Sequence, residues 1–296
     1  MSGPRDAHAA FERLVRWTIT DELPAAAGFL PPEECREFTA YYRDLPAPGD
    51  HARIARYLRG TWRAEAGWTA RWLAAFAARA GRAPRVLDAG SGFGTYAMMF
   101  AAAGAAVTGV DLRPDRLDVA ERRRAHCLES AGWDLEARYV RADLTGDWGA
   151  DYDLVWVYNA LSHIDPLEGF LAAVRRHLTP GGVLVVGDIN GAHPAHLRRL
   201  ARVRSEVHQQ YVAPDGQRHH YAVERTFSPR ELRREMEQNG LRVVRHELYW
   251  GGLGALPGPA YAALMVPLQR QWWLGARVAR RQLMVTAPGR GRDGGG

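Results

Sequence analysis

The sequence predicts an α/β protein: a doubly wound, mostly parallel sheet behind a helical N-terminal extension, with a lid inserted after the fifth strand. Three observations carry this. From Arg85 onward, short apolar runs alternate with helical stretches, the pattern of a parallel sheet covered on both faces. The first run, in RVLDAGSGFGTYAMMF (Arg85 to Phe100), leads through a glycine-rich turn into a helix. After Asp188 the alternation pauses for about forty residues before it resumes.

Residues 1–84 read as the helical extension. FERLVRWTI, PEECREFTAYYRDL and the long stretch from His51 place apolar residues at three- and four-residue intervals, with Pro24, Pro31, Pro32, Pro46 and Pro48 as breaks. Residues 85–190 form the ligand-binding core, with strands expected in RVLDA, AVTGVDL, ARYVRADL, YDLVWVYNAL and GGVLVVGDI. Residues 191–226 form the lid, in which two alternating runs around Pro214, Asp215 and Gly216 read as a hairpin. Residues 227–287 return to the core through a helix with capping-box spacing at Ser228 and Glu231, the strand LRVVRHELYW and a last short strand, RQLMVTA. Residues 288–296, PGRGRDGGG, read as a disordered tail.

Composition removes several function classes. With 47% hydrophobic and 24% charged residues, the chain has ordinary globular make-up, so disorder is not the expectation. All 39 basic residues are arginine. Without lysine there is no Schiff-base catalysis, no lysine-attached pyridoxal phosphate and no Walker A loop. The net charge of +6 is a mild excess that fits a GC-rich coding bias better than a nucleic-acid surface. The arginines Arg198, Arg199, Arg202 and Arg204, at helical spacing, read as a solvated face. The first fifteen residues lack a secretion signal, so a cytoplasmic protein is expected. Cys35 and Cys127 are far apart and read as structural thiols. The uncharged stretch from Leu248 to Gln269 is interrupted by glycines and by Pro257, Pro259 and Pro267, so no membrane span is expected. Beyond it, Trp272 and Trp273 with Arg270, Arg277, Arg280 and Arg281 suit packing on the core or on a second copy, as a homodimer, better than weak contact with a lipid interface.

In the turn itself, Gly90, Gly92 and Gly94 let backbone approach a ligand closely. The dinucleotide fingerprint requires glycine at position 95, and this chain has Thr95, which disfavours pyrophosphate. Asp111 ends the second strand 21 residues after Gly90, where a carboxylate meets ribose hydroxyls. Asp143 ends the third strand, at the adenine edge, and Asp88 lies under the turn where a cationic amino group fits.

These residues resemble the motifs of class I S-adenosylmethionine-dependent methyltransferases. LDAGSGFG resembles the first motif, VDL (Val110 to Leu112) the second, ADL (Ala142 to Leu144) the third and DLVWVYNALSHI the fourth. The resemblance implies a seven-stranded sheet whose last strand is antiparallel. It implies S-adenosylmethionine as cofactor, with Asp88, Gly90, Gly92 and Gly94 near its methionine end, Asp111 and Leu112 at the ribose, Asp143 and Leu144 at the adenine, and Asn159 and Ala160 bordering the methionine portion.

Methyl transfer from a sulfonium is an in-line displacement, so the protein chiefly aligns the reactants and excludes water. A base helps only acceptors of high pKa, and the candidate is His163 in NALSHIDP, just past the fourth strand. Asp188, at the end of the fifth strand, orients a substrate group or a histidine, or else forms a turn with Asn190. Asp188 and Asn190 resemble an oxygen-ligand pair, but no third carboxylate follows closely, so no metal is expected. His219, His220 and Tyr221 in the lid, with Tyr211, Tyr249, Trp250 and Leu253, supply aromatic and apolar groups for a small-molecule substrate. The expected function is methylation of a small, partly apolar organic molecule on oxygen, nitrogen or carbon, without nucleic acid. The alternatives are an RNA or protein methyltransferase, a non-catalytic cofactor-binding module and an NAD-dependent oxidoreductase.

Overall fold

A computed structural model describes residues 6–59, 63–200, 208–212, 216, 218–222, 226–249, 260, 263, 275–277 and 279–289. The chain forms two compact units, Met1–Ala142 with Gly251–Tyr261, and Asp143–Trp250 with Ala262–Gly296. The division falls inside the stretch 85–190.

In the first unit, α1 (Ala7–Trp17) starts at Asp6, whose side chain accepts the N–H groups of His8 and Ala9 at 3.0 and 3.2 Å. Its apolar face buries Phe11 edge-on to Phe100, with ring centroids 5.6 Å apart. The chain stays helical through a π-helical turn, Thr18–Glu22, into α2 (Leu23–Phe29). Pro24 therefore does not break the helix, contrary to expectation: the widened turn places it in the first turn of α2, where its missing N–H costs little. Next come α3 (Pro32–Tyr41), α4 (His51–Tyr57) and α5 (Arg63–Ala80), so the extension is helical as expected. Strands β1 (Arg85–Ala89), β2 (Ala106–Asp111) and β3 (Ala137–Arg141) pair in parallel, β1 with β2 and β2 with β3. The connecting helices are α6 (Thr95–Ala102), whose apolar run from Ala97 to Ala101 is buried, and α7 (Pro114–Ala131), closed by Gly132 at φ 68°.

In the second unit, β4 (Tyr152–Tyr158) is buried along all but its last residue, as a parallel strand covered on both faces should be. A 3₁₀ turn (Leu161–His163) and α8 (Leu167–His177) lead to β5 (Leu178–Ile189). β5 begins three residues before the expected GGVLVVGDI run, because Leu178 pairs with Tyr152 across an irregularity in the β4 register. Then follow α9 (Pro194–Leu200), the antiparallel hairpin of β6 (His208–Val212) and β7 (Arg218–Ala222), and α10 (Pro229–Gln238). The capping box at α10 is complete: Ser228 Oγ accepts from the Glu231 N–H at 3.3 Å, and Glu231 accepts from the Ser228 N–H at 2.8 Å. β8 (Leu241–Tyr249) and β9 (Arg281–Pro288) finish the fold. Pro288 ends β9 and the Gly289 N–H donates to the Gly240 carbonyl at 2.9 Å, so the expected tail does not begin at 288.

The strand order is β3-β2-β1-β4-β5-β9-β8, and β9 runs antiparallel to both of its neighbours. This is the mostly parallel, seven-stranded sheet expected, with the last strand reversed. Among the described residues, no helix is long and apolar enough to cross a membrane.

Candidate functional site

The turn after β1 has φ of 75° at Gly90, 51° at Gly92 and 75° at Gly94, the left-handed region that glycine adopts without strain. Gly94 is constrained twice, since a Cβ there would lie 2.5 Å from the Tyr139 hydroxyl and 2.8 Å from the Ala120 methyl. The N–H groups of Gly90 and Ser91 both donate to the Val110 carbonyl, at 2.8 and 2.9 Å, and that of Gly94 donates to the Ser91 carbonyl at 2.8 Å. Asp111 accepts the Gly92 N–H on Oδ2 at 2.9 Å and the Arg113 N–H on Oδ1 at 3.0 Å. A carboxylate oxygen has a second lone-pair direction, so Asp111, half-buried, keeps acceptor capacity for hydroxyls.

Asp88 is buried and accepts the N–H of Ala97, in the first turn of α6, at 3.0 Å. Burial pushes its pKa up to about 7, against the lowering effect of that hydrogen bond, and the nearby Asp111 raises it further. A phosphate-binding turn leaves its N–H groups and its helix N-terminus open to an anion. Here four turn N–H groups are already engaged and a carboxylate occupies the helix N-terminus. The arrangement suits a neutral or cationic ligand group and opposes pyrophosphate. Thr95, where the dinucleotide pattern has glycine, instead accepts a hydrogen bond from Arg123 Nη1 at 2.8 Å and is bonded to the Tyr42 hydroxyl.

In the second unit, Asp143 is exposed and its Oδ1 accepts from the N–H and the hydroxyl of Thr145, at 2.8 and 2.7 Å, while the Leu144 side chain is buried. Asn159, just past β4, has φ of 52° and donates its N–H to the Gly187 carbonyl at 2.9 Å. Arg281, the first residue of β9, donates through Nη1 to the Tyr158 hydroxyl at 2.9 Å and to Asn159 Oδ1 at 3.0 Å, with its guanidinium over the Tyr158 ring. Gly187 leaves room for that ring, since a Cβ there would collide with Tyr158 Cδ2. Ala160 is half-buried and opens the 3₁₀ turn that ends in the exposed His163.

Asp188 is 3% exposed. Its Oδ1 accepts the Ile189 N–H at 2.7 Å, while the buried Oδ2 has no hydrogen bond of ordinary geometry, although the Ser162 backbone N–H lies near enough to the carboxylate to lower its pKa. Burial raises its pKa to about 6, and the charges of His163 and Arg281 pull the other way, so these three groups lie within electrostatic reach of one another. Asn190 is fully buried and donates through Nδ2 to the carbonyls of Ala276 and Ala279, at 2.6 and 2.7 Å. It also accepts the Ala192 N–H at 3.0 Å. Its amide bonds to backbone through both its donor and its acceptor atom, and among the described residues no cluster of three or more metal-binding side chains occurs.

His219, His220 and Tyr221 occupy β7, paired with Tyr211, Gln210 and Gln209 of β6, and their side chains lie outside the described residues, as do Trp250 and Leu253. Tyr249 is buried at the end of β8, in register with Arg281. Both cysteines are free thiols, Cys127 buried and Cys35 half-buried. Arg281 is the residue whose particular role the sequence reading missed: it braces Tyr158 and Asn159. No sequence spacing reports that contact, which joins residues more than a hundred positions apart.

Comparison with known proteins gives the same fold. A family model described as "Methyltransferase domain" matches residues 55–246. The chain is 34% identical over 174 residues to a ubiquinone biosynthesis O-methyltransferase of Burkholderia pseudomallei, covering 58% of this chain and 70% of that one. It is 29% identical over 160 residues to the ubiquinone biosynthesis O-methyltransferase of Brucella anthropi, covering 54% and 60%. To the demethylmenaquinone methyltransferase of Tropheryma whipplei it is 33% identical over 129 residues, covering 44% and 49%. It thus spans only about half to three fifths of the length of the latter two relatives. Among solved structures, an S-adenosylmethionine-dependent methyltransferase from Clostridium acetobutylicum aligns at TM-score 0.51 with 15% identity, over 86% of this chain and 98% of that one. The CcbJ methyltransferase from Streptomyces caelestis aligns at TM-score 0.51 with 18% identity, over 85% and 96%. With a glycine-rich turn of this construction, this strand order and a family match over well more than half its length, the chain belongs to the methyltransferase-domain family and has the class I methyltransferase fold.

Proposed function

We propose that this chain transfers the methyl group of S-adenosylmethionine to a small, partly apolar organic acceptor. One observation carries the reading: the turn after β1 has its N–H groups engaged and a buried carboxylate at the start of α6, which favours a cofactor without phosphate and with a cationic end. Asp88 would sit near the ammonium and sulfonium charges, with Gly90, Gly92 and Gly94 providing close backbone approach. Asp111 and Leu112 would hold the ribose, Asp143 and Leu144 the adenine, and Asn159 and Ala160 would border the methionine portion. When bound, the cofactor supplies an electrophilic methyl group for in-line displacement.

The chain's own residues then orient the acceptor and manage its proton. For a hydroxyl acceptor, an imidazole nitrogen of His163 takes the proton. Asp188, with a pKa of about 6, is mostly ionised at neutral pH and stabilises the imidazolium that forms. Relatives named for ubiquinone biosynthesis and for demethylmenaquinone support a ring-bearing acceptor of that kind. His219, His220, Tyr221, Tyr249 and Trp250 are assigned to the acceptor side. The lid, residues 191–226, is assigned to cover the acceptor. The reading includes a cytoplasmic enzyme that does not act on nucleic acid, with a homodimer as the assembly to test by sedimentation.

Calorimetric titration with S-adenosylhomocysteine and with NAD tests the cofactor: binding of the former alone is expected, and NAD binding without a response to the sulfonium series overturns the reading. Transfer of label from methyl-labelled cofactor is expected into a solvent-extractable metabolite pool, and label entering total RNA would overturn the acceptor class.

A further inference from the structure

Glu22 and Arg123 are both fully buried, and 101 positions apart in sequence they form a two-pronged ion pair, Nε to Oε1 at 2.7 Å and Nη2 to Oε2 at 2.8 Å. Glu22 closes the π-helical turn between α1 and α2, and Arg123 lies in the middle of α7. The third guanidinium nitrogen, Nη1, donates to the Phe93 carbonyl and, at 2.8 Å, to the Thr95 hydroxyl. These acceptors flank Gly94 on either side. The rings of Phe38, in α3, and of Tyr42, just past its end, lie over the guanidinium, 4.8 and 5.7 Å from it. The Tyr42 hydroxyl is bonded to Thr95, and Phe38 meets Phe93 edge-on at 5.7 Å.

A buried ion pair seldom adds stability over an apolar pair of the same volume, because two charges must leave water. What this pair does that leucine and methionine would not is fix donors at defined points on the glycine-rich turn. The turn needs fixing. Its glycines have wide backbone freedom, and each conformation outside the ligand-competent one weakens binding in proportion to its population.

We propose that Glu22 and Arg123 are positioning residues for the glycine-rich turn: the N-terminal helical extension, through Glu22, aims Arg123 at Phe93 and Thr95 and holds residues 92–95 in the ligand-competent conformation before any ligand arrives. The extension is thus part of the binding machinery of the first unit, acting on the turn from behind. The identity of the ligand rests on the function proposed above. The holding of the turn does not.

The test uses the full chain with both charges replaced by apolar groups, Glu22→Leu together with Arg123→Met, which avoids leaving one charge buried alone. In the ligand-free protein, amide exchange at Gly92 and Gly94 is expected to speed up about tenfold or more, while Val86 and Leu87 in β1 keep their protection. The dissociation constant for S-adenosylhomocysteine should rise about tenfold, the effect of a competent fraction falling to about one tenth. A folded double variant with wild-type exchange at Gly92 and Gly94 would overturn the proposal. Thr95→Val, which keeps the ion pair and removes one link to the turn, is the second variant. It should show the same changes at smaller size, and wild-type exchange and affinity in it overturn the proposal if the double variant does not fold. If the wild-type protein fails to bind S-adenosylhomocysteine, the proposed function falls, and exchange at Gly92 and Gly94 still decides whether the turn is held this way.

Discussion

At the turn after β1, four backbone N–H groups have acceptors, and each oxygen of Asp111 accepts one backbone N–H with a lone pair to spare. At the end of β5, Asp188 Oδ2 is buried without a hydrogen bond of ordinary geometry, and the nearby His163 is exposed. The two regions teach different things about what each is built to do. A turn whose N–H groups have acceptors, and whose Phe93 carbonyl and Thr95 hydroxyl are held by Arg123, keeps one shape, which is what binding requires. A buried carboxylate short of well-formed hydrogen bonds costs stability and keeps a group ready for a proton or a donor, which is what chemistry requires.

Mutations should separate the two. The largest effect is expected from His163→Ala: turnover falls about 10²- to 10⁴-fold for a hydroxyl acceptor, with unchanged affinity for S-adenosylhomocysteine. Wild-type turnover at saturating acceptor would leave His163 outside the chemistry. Gly94→Ala attacks the other region through its shape, forcing a side chain into φ of 75° and against Tyr139 and Ala120. A loss of about 2–4 kcal/mol in urea unfolding is expected, and a variant as stable as wild type would show that the turn relaxes freely.

Asp111→Ala should cost about 1.5–3 kcal/mol of S-adenosylhomocysteine affinity by calorimetry, because a charged acceptor for hydroxyls is lost. Unchanged affinity in a folded protein would mean that the ribose lies elsewhere.

Protonation distinguishes the regions more gently. Asp188 and Asp88 have folded pKa values raised to about 6 and about 7, so the folded state holds their protons more tightly than the unfolded state. Their contribution to stability is present below pH 4 and is lost as pH rises through those values. Asp188→Asn should abolish its share, on the order of 2 kcal/mol between pH 4 and 6, and an unaltered pH–stability curve would place the Asp188 carboxyl in a more solvated setting. The smallest effect, about 1 kcal/mol, is expected for Ser228→Ala, which opens the capping box of α10 and touches neither region. It should leave turnover and cofactor affinity alone, and a change in either would show that the two regions are less local than their hydrogen bonds suggest.

The parts legible in the sequence were those set by local rules. Alternating apolar runs located the strands, Ser228 and Glu231 located a helix start, and the runs around residues 214–216 located the β6–β7 hairpin. Pro24 misled because a proline reads as a break wherever it stands, and only the π-helical turn before it makes its position harmless. Asp88 was legible as a carboxylate under the turn, but not its hydrogen bond to Ala97 or its raised pKa, since burial is a property of the packed chain.

By itself the sequence determined the order of elements, the absence of lysine chemistry and the glycine spacing with Asp111, because periodicity, composition and φ preference act within a few residues. Tertiary structure alone decided that β9 inserts between β5 and β8, that Arg281 braces Asn159, and that Glu22 meets Arg123 behind the turn. Each of these joins residues far apart in the chain. Long-range contacts of this kind are selected by burial and hydrogen-bond satisfaction in the folded state, which leave no spacing for a sequence to display.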